Sequence, residues 1–329
     1  MLGLFTGIQY EDANIINSPE DVSGLIGWWD FTDNTQLYQD IDSYDNQVVL
    51  QNQKIGRCKN KAFDGLLDLG RFARAEADAN RPTYKQSGQN GHSYAVFDSS
   101  SNIEGLVTRS TSTDWGAFSD NRLSITYLSN YSMQIFVVGE PEDNDSDGTD
   151  ETVFSYLGYR GVDTSITDEE QSTTFTLERQ DDEDVIATWA LSGGPPVSPN
   201  TINGTEPSSH WETGEVSIIN ISTSTAVGGS YIYNNNTPDV GQTIYWAGSG
   251  DFAQEGIADM NPSGYTSGVN GLTTSVGIGA QTSSSGALGS NSFDGKIYEI
   301  LVYDSNMSES DRAGLTYYLS NKYDITISN

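Results

Sequence analysis

Residues 293–325 read FDGKIYEILVYDSNMSESDRAGLTYYLSNKYDI. The stretch holds a strand, a turn and a helix in one line. GKIYEILVYD (295–304) is a dense run of β-branched and aromatic residues, the composition of a buried strand. SESDRAGLTYYLSNKYD (308–324) then changes period. Ser308 stands where a helix N-cap belongs, and Asp311 three residues later supports both the cap and the helix dipole. Leu315, Tyr318, Leu319 and Lys322 follow at helical spacing, a narrow stripe that packs one face of the helix against the sheet.

Outward from this stretch the chain reads as strands and turns. SYAVFD (93–98), SMQIFVVGE (132–140), ETVFSYLGY (151–159), TTFTLER (173–179), DVIATWAL (184–191), VSIINIST (216–223), SYIYN (230–234), TIYWAG (243–248) and TSVGIGA (274–280) are the clearest candidates. In TTFTLER, Phe175 and Leu177 alternate toward a core while Thr174, Thr176 and Glu178 alternate toward water. IFVVG is apolar on both faces, as a central strand is. With 329 residues, 34 glycines, 18 tyrosines, 11 phenylalanines and six tryptophans, the composition is that of an all-β sandwich with a substantial core. LLDLGRFARAEADA (66–79) is expected to hold a short helix. Residues 1–24 read as an extended arm, mobile in the free protein and ordered in an assembly. Residues 25–329 then form one domain, in which Trp28 and Trp29 belong to the core.

Charge narrows the partners. Lys and Arg number 15 against 46 Asp and Glu, a net charge of −31. Phosphate backbones repel such a chain, which argues against nucleic acid. No apolar run approaches the ~20 residues of a membrane span. Eight of the 15 basic residues lie between Lys54 and Lys85. That strip reads either as a segment balancing nearby acids or as a docking strip for an acidic partner. The lone cysteine, Cys58, excludes an intrachain disulfide, although its neighbours Arg57 and Lys59 favour a lowered thiol pKa. The first residues carry neither a basic stretch nor a long apolar core, so they do not read as a secretory signal.

One acidic loop stands out. EDNDSDGTDE (142–151) places Asp143, Asp145 and Asp147 at alternate positions before Gly148, the first half of a calcium-binding loop. The twelfth position is Phe154 rather than a bidentate Glu, and the flanks are strands. Two readings stay open, a calcium site completed by Asp150 or Glu151 and a solvated hairpin tip.

Three stretches together resemble the concanavalin A-like lectin/glucanase superfamily in its laminin-G-like jelly-roll form. They are GLIGWWDFTD (24–33), ADANRPTYKQSGQNGHSYAVFDSSSNIEGL (77–106) and the closing TTSVGIGAQ with SFDGKIYEILVYDSNMSESDRAGLTYYLSNKYDI (273–325). Met307 and Asp311 depart from the family's usual Leu and Glu. The resemblance implies a concanavalin A-like jelly-roll β-sandwich. The layout is also similar to modules in virion structural proteins of tailed cyanophages. That implies a capsid decoration or fibre-type component located in the virion, with other virion proteins as partners and a homo-oligomeric state. A lectin-like module binding host surface glycans is the alternative.

Retaining glucanases of that superfamily carry an Glu-x-Asp-x-x-Glu strand whose acids share one cleft. Here Glu76 and Asp78 are followed by Arg81 where the third acid belongs, so that chemistry is not expected. The two histidines, His92 and His210, lie at turns and read as ordinary polar residues. Sugar binding calls for exposed aromatic rings, and Trp115, Trp211 and Trp246, with Tyr245, sit near loops. Packing between the sheets competes for each of them. The calcium reading of Asp143, Asp145 and Asp147 predicts that millimolar calcium raises the melting temperature and that Asp145→Ala abolishes the rise. The solvated-tip reading predicts no rise in the wild type.

Overall fold

The structure, a computed structural model, describes residues 14–43, 45–62, 72–100, 102–109, 133–142, 150–160, 171–180, 185–192, 200–203, 211–223, 231–234, 237–238, 274–282, 287–289, 291–303 and 307–327. The early strands are β1 (Leu25–Asp30), β2 (Leu37–Tyr38), β3 (Arg57–Lys59), β4 (Phe72–Arg74), β5 (Thr83–Lys85), β6 (Tyr94–Phe97) and β7 (Leu106–Arg109). The long central ones are β8 (Met133–Pro141), β9 (Glu151–Arg160), β10 (Gln171–Arg179) and β11 (Val185–Ser192). Then come β12 (Asn200–Asn203), β13 (Ser217–Thr223), β14 (Tyr231–Asn234), β15 (Thr237–Pro238), β16 (Thr274–Ile278) and β17 (Gly295–Tyr303). One α-helix, α1 (Glu309–Tyr323), closes the described chain.

Two antiparallel sheets result, and the expected all-β sandwich with a C-terminal helix is observed. The first runs β15-β14-β13-β8-β17-β6-β5, with β1 also paired to β17. The second runs β12-β11-β10-β9-β16-β7-β4-β3-β2. Their facing sides form one apolar core. Trp29, Phe31, Ile135, Val137, Ile300 and Val302 come from the first sheet or its flank, and Phe154, Tyr156, Phe175, Leu177, Val276 and Ile278 from the second. The Trp29 and Phe154 rings meet across the gap at 6.4 Å between centroids. Phe175 and Leu177 point inward as their alternation requires.

Period two splits the tryptophan pair of β1. Trp29 enters the core between the sheets, while Trp28 faces the other side of the first sheet. There α1 covers it. Leu315, Leu319 and Tyr323 pack onto Phe136, Val138, Leu301 and Tyr303 in a second apolar layer. The helix starts where the sequence indicates, with the Asp311 amide donating to Ser308 Oγ at 3.1 Å.

One expectation needs correction, and two stretches are described only in part. Of the stretch 66–79, expected to hold a short helix, residues 66–71 lie outside the described residues and Asp78–Asn80 forms a short 3-10 helix. Phe72–Arg74 is strand β4, paired to β3 and to Val107 of β7, because tertiary pairing outweighs a weak local helical preference. Thr176, expected to face water, is buried on the outer side of the second sheet. Residues 14–22, the described part of the arm, make contacts to the rest of the chain. Asn14 donates from its backbone to the Ser310 carbonyl at 3.2 Å, and its side chain donates to Asp311 at 2.6 Å. Farther along, the buried Tyr303 hydroxyl donates to the Pro19 carbonyl at 2.9 Å, and Val22 joins the second layer.

Gly314 makes room for this contact. A Cβ there would collide with the Asn14 carbonyl oxygen and meet Ile16 Cγ1 at 3.0 Å. Replacing a mid-helix glycine by alanine ordinarily gains up to about 1 kcal/mol. Here the collision reverses the sign, and we expect Gly314→Ala to destabilise by about 1–3 kcal/mol, as overpacking does. Urea denaturation measures the loss, and a Glu-specific protease should cut faster at Glu20 in the variant.

Candidate functional site

The richest polar constellation among the described residues lies under α1, on the outer face of the first sheet. Asp30 of β1 and Glu299 of β17 are direct cross-strand partners. Like charges so placed destabilise a sheet, and these are 3% and 0% exposed. Two lysines compensate. Lys322, from the last turn of α1, donates to Glu299 Oε2 at 2.7 Å and lies 3.6 Å from Asp30 Oδ2. Lys61 donates to Asp30 Oδ2 at 3.0 Å and pairs with Asp33 at 3.3 Å. Its ammonium also sits 4.1 Å from the centre of the Trp28 ring, within cation–π range.

Local structure fixes each of these groups. Trp28 Nε1 donates to Glu299 Oε1 at 2.6 Å, and the Tyr323 hydroxyl donates to Oε2 at 2.7 Å. The buried Asn60 accepts from the Trp28 amide at 2.8 Å, and the Lys61 amide donates to the Trp28 carbonyl at 2.8 Å. The far end of the helix is held too. Asn90 Nδ2 donates to the Lys322 carbonyl at 2.9 Å, and His92 Nε2 lies 3.0 Å from the same oxygen. His92 therefore serves the helix terminus.

The pKa directions follow from this geometry. Burial raises Glu299 above the ordinary carboxylate range, although Lys322 pulls against it. Burial also pushes Asp30 upward, but Lys322, Lys61 and the Thr32 hydroxyl together outweigh it and leave Asp30 lowered. For Lys322, desolvation opposes the charge, and Glu299 and Asp30 win, so its pKa rises. Cys58 is fully buried, and desolvation raises its thiol well above its ordinary value. Burial thus outweighs the neighbouring Arg57 and Lys59, and the thiol reads as an ordinary core side chain.

The basic strip behaves as a balancing segment where it is described. Lys54 pairs with Glu104 at 2.5 Å, Arg74 with Asp42 at 2.8 Å and Arg81 with Asp78 at 3.4 Å. Arg57 turns inward to the Ile41 carbonyl.

The expected ligand residues fare unequally. Trp211 is a correction. It is 0% exposed, stacks on Phe293 at 5.7 Å and lies against Gly139, where a Cβ would sit 2.9 Å from its ring. It offers no face to a sugar. Trp115, Tyr245 and Trp246 lie outside the described residues, as do Asp143, Asp145, Asp147 and His210. Among the described residues no group of three His, Cys, Asp or Glu is placed to hold a metal, and no helix is long and apolar enough to cross a membrane.

The strand ends carry further information. Contacts Thr152–Ser292 and Gly295–Pro141 mark one end of the sandwich. Pairs Arg109–Ser275, Arg160–Gln171, Ser172–Ser192 and Met133–Thr223 lie at the opposite end. The connections 110–132, 161–170, 193–199 and 224–230 all leave from that opposite end, and 239–273 leads into Thr274 there. Trp115 and Trp246 therefore belong to connections rooted at one end of the fold, which sequence spacing does not reveal.

No family model matches the chain, and no curated protein matches it. Several solved structures are similar in fold. A leech intramolecular trans-sialidase, complexed with 2,7-anhydro-Neu5Ac, shares 15% identity over 56% of this chain, with a TM-score of 0.33, and the match spans only 23% of that chain. The CBM40 of a Ruminococcus gnavus IT-sialidase, bound to α2,6 sialyllactose, shares 12% identity over 61% of this chain and 88% of its own, with a TM-score of 0.36. The botulinum neurotoxin serotype G binding domain shares 9% over 76% of this chain and 49% of its own, also at 0.36.

Glu299 gives a pH test. Its folded-state pKa is raised above the unfolded value of 4.5, so its contribution to stability is full below that value and is lost as pH rises through the folded value. We expect the urea midpoint to fall over that window in the wild type. In Glu299→Gln that component of the pH dependence should disappear.

Proposed function

We propose that this chain is a non-enzymatic binding module, a structural attachment component of a virus particle, that recognises host-surface glycan through the connections at one end of its sandwich. The observation that carries the reading is that Arg109, Met133 and Thr274, the described strand ends next to the segments containing Trp115 and Trp246, lie at that end, while the middle of each described face is covered. On the first sheet, α1 and residues 14–22 cover the outer side. On the second, Val107, Ser155, Thr176 and Ser275 of the outer side are all buried. The buried acids Asp30, Glu299 and Glu104 are each tied to a lysine, which supports a scaffolding role for them. The strong negative charge suits a particle component that stays soluble in salt. Other virion proteins and further copies of this chain are the partners this reading assigns.

A glycan panel tests the binding half. We expect saturable binding by the whole chain and a loss of at least about tenfold, or about 1.4 kcal/mol, in Trp115→Ala or Trp246→Ala with the fold retained. Absence of binding across the panel would contradict it. Immunogold labelling of particles from the source culture tests the virion half separately, with regular decoration expected.

A further inference from the structure

One long edge of the sandwich is closed by a single segment. Residues 46–48 line β2 of the second sheet, where the Val48 amide donates to the Leu37 carbonyl at 3.0 Å and the Gln39 amide to the Asn46 carbonyl at 2.7 Å. Residues 52–54 line β5 of the first sheet, where the Asn52 amide donates to the Tyr84 carbonyl and the Tyr84 amide to the Gln53 carbonyl, both at 2.8 Å. These bonds occupy the edge of both sheets at these positions, so a partner here meets side chains rather than a free strand.

Between the two rows lies a turn that shows apolar side chains to solvent. Val49 is 48% exposed and Leu50 63%. Exposed apolar residues scattered singly are normal, but these two are adjacent and held in place. Gln53 Oε1 accepts from both of their amides, at 2.7 and 2.8 Å. Asn52 takes the left-handed conformation, φ 70°, that lets the turn close. A turn fixed in advance loses little entropy when it is covered.

Charge sets this edge apart. Residues 46–63 and 79–97 contain no Asp or Glu, in a chain whose net charge is −31. Every exposed residue of 46–52 and of 86–91 is uncharged. The two stretches touch, since Lys85 Nζ donates to Asn52 Oδ1 at 2.6 Å and Gln86 Nε2 to the Val49 carbonyl at 3.4 Å. Depletion of charge around an apolar centre is the compositional mark of an interface core. Lys54 and Arg81 at its margin are neutralised by Glu104 and Asp78, so the edge does not select an acidic partner. A second copy of this chain suits it. Two chains of this charge repel over most approaches, whereas edge against edge sets uncharged side chains against uncharged side chains.

We propose that this edge is a self-association surface, on which two copies meet about a two-fold axis with Val49 and Leu50 at the centre of the contact. A two-fold contact is isologous, so one neutral patch serves both partners and the assembly closes at two. The contact rests on the functional reading above only in that further copies of this chain are partners, and it does not involve the glycan-binding connections.

Sedimentation equilibrium of the full-length chain tests it. A monomer–dimer equilibrium is expected. It should strengthen as salt rises from about 0.1 M to about 1 M and the screening length falls from ~10 Å to ~3 Å, because the contact itself carries little charge while the remaining surfaces repel. Leu50→Asp should weaken dimerisation at least about tenfold with the melting temperature retained, and Gln51→Glu, at an exposed position of the same turn, should weaken it too. Ile15→Asp, at an 88% exposed position over α1, should leave it unchanged. A wild type that stays monomeric up to its solubility limit in high salt overturns the proposal. So does a dimer insensitive to Leu50→Asp, one weakened equally by Ile15→Asp, or one that dissociates as salt rises. A monomer that still binds glycan overturns this contact and leaves the glycan reading standing, whereas a dimer that binds none does the reverse.

Discussion

Two buried carboxylates facing each other across adjacent strands are the constraint on which the rest of this molecule is arranged. Asp30 and Glu299 occupy opposed positions on β1 and β17, where like charges repel. An exposed salt bridge contributes only about 0–1 kcal/mol, whereas stranding one buried charge costs about 3–5 kcal/mol. Lys322 and Lys61 are therefore obligatory partners. Lys322 is on α1, so satisfying Glu299 fixes where the helix lies and which of its faces looks inward. The benefit is specificity of placement. Apolar residues of similar volume often give as much stability as a buried ion pair, but they do not select one register of helix on sheet.

From that docking the outer layer follows. With α1 held down, Leu315, Leu319 and Tyr323 cover the first sheet, and Gly314 offers a bare surface to residues 14–16. Residues 14–22 and the C-terminal helix thus share one side of the sandwich and support each other. The second sheet's outer face is closed along its described middle. In the proposed reading, binding falls to the end from which 110–132 and 161–170 leave, with the sandwich as a rigid platform, a common division of labour.

Much of this is legible in the sequence. The change of period inside 293–325, with Ser308 between strand and helix, yields both β17 and α1 nearly to the residue. Period-two alternation places Phe175 and Leu177 correctly. Short strands such as β2, β3 and β4 escaped because two or three residues show no period, and their pairing is decided by distant partners. Trp211 misled because it follows a Pro- and Ser-rich loop, while its burial depends on Gly139 and Phe293 far away in the sequence. The charged cluster also carries a signal in the sequence. Glu299 interrupts IYEILVY, and Lys322 sits on the apolar stripe of α1. A charged residue at a core position implies a buried partner, but sequence alone does not say that Asp30 shares the site.

Hydrogen exchange on Lys322→Met is the most direct test of this account, because methionine keeps the length of the side chain and removes only its charge and donors. The account predicts that amides of Glu309–Tyr323 lose protection while those of β8 and of β9 in the sandwich stay protected. Unchanged protection of the helix would show that apolar packing alone holds it, and would contradict the claim that the buried carboxylate pair sets its place.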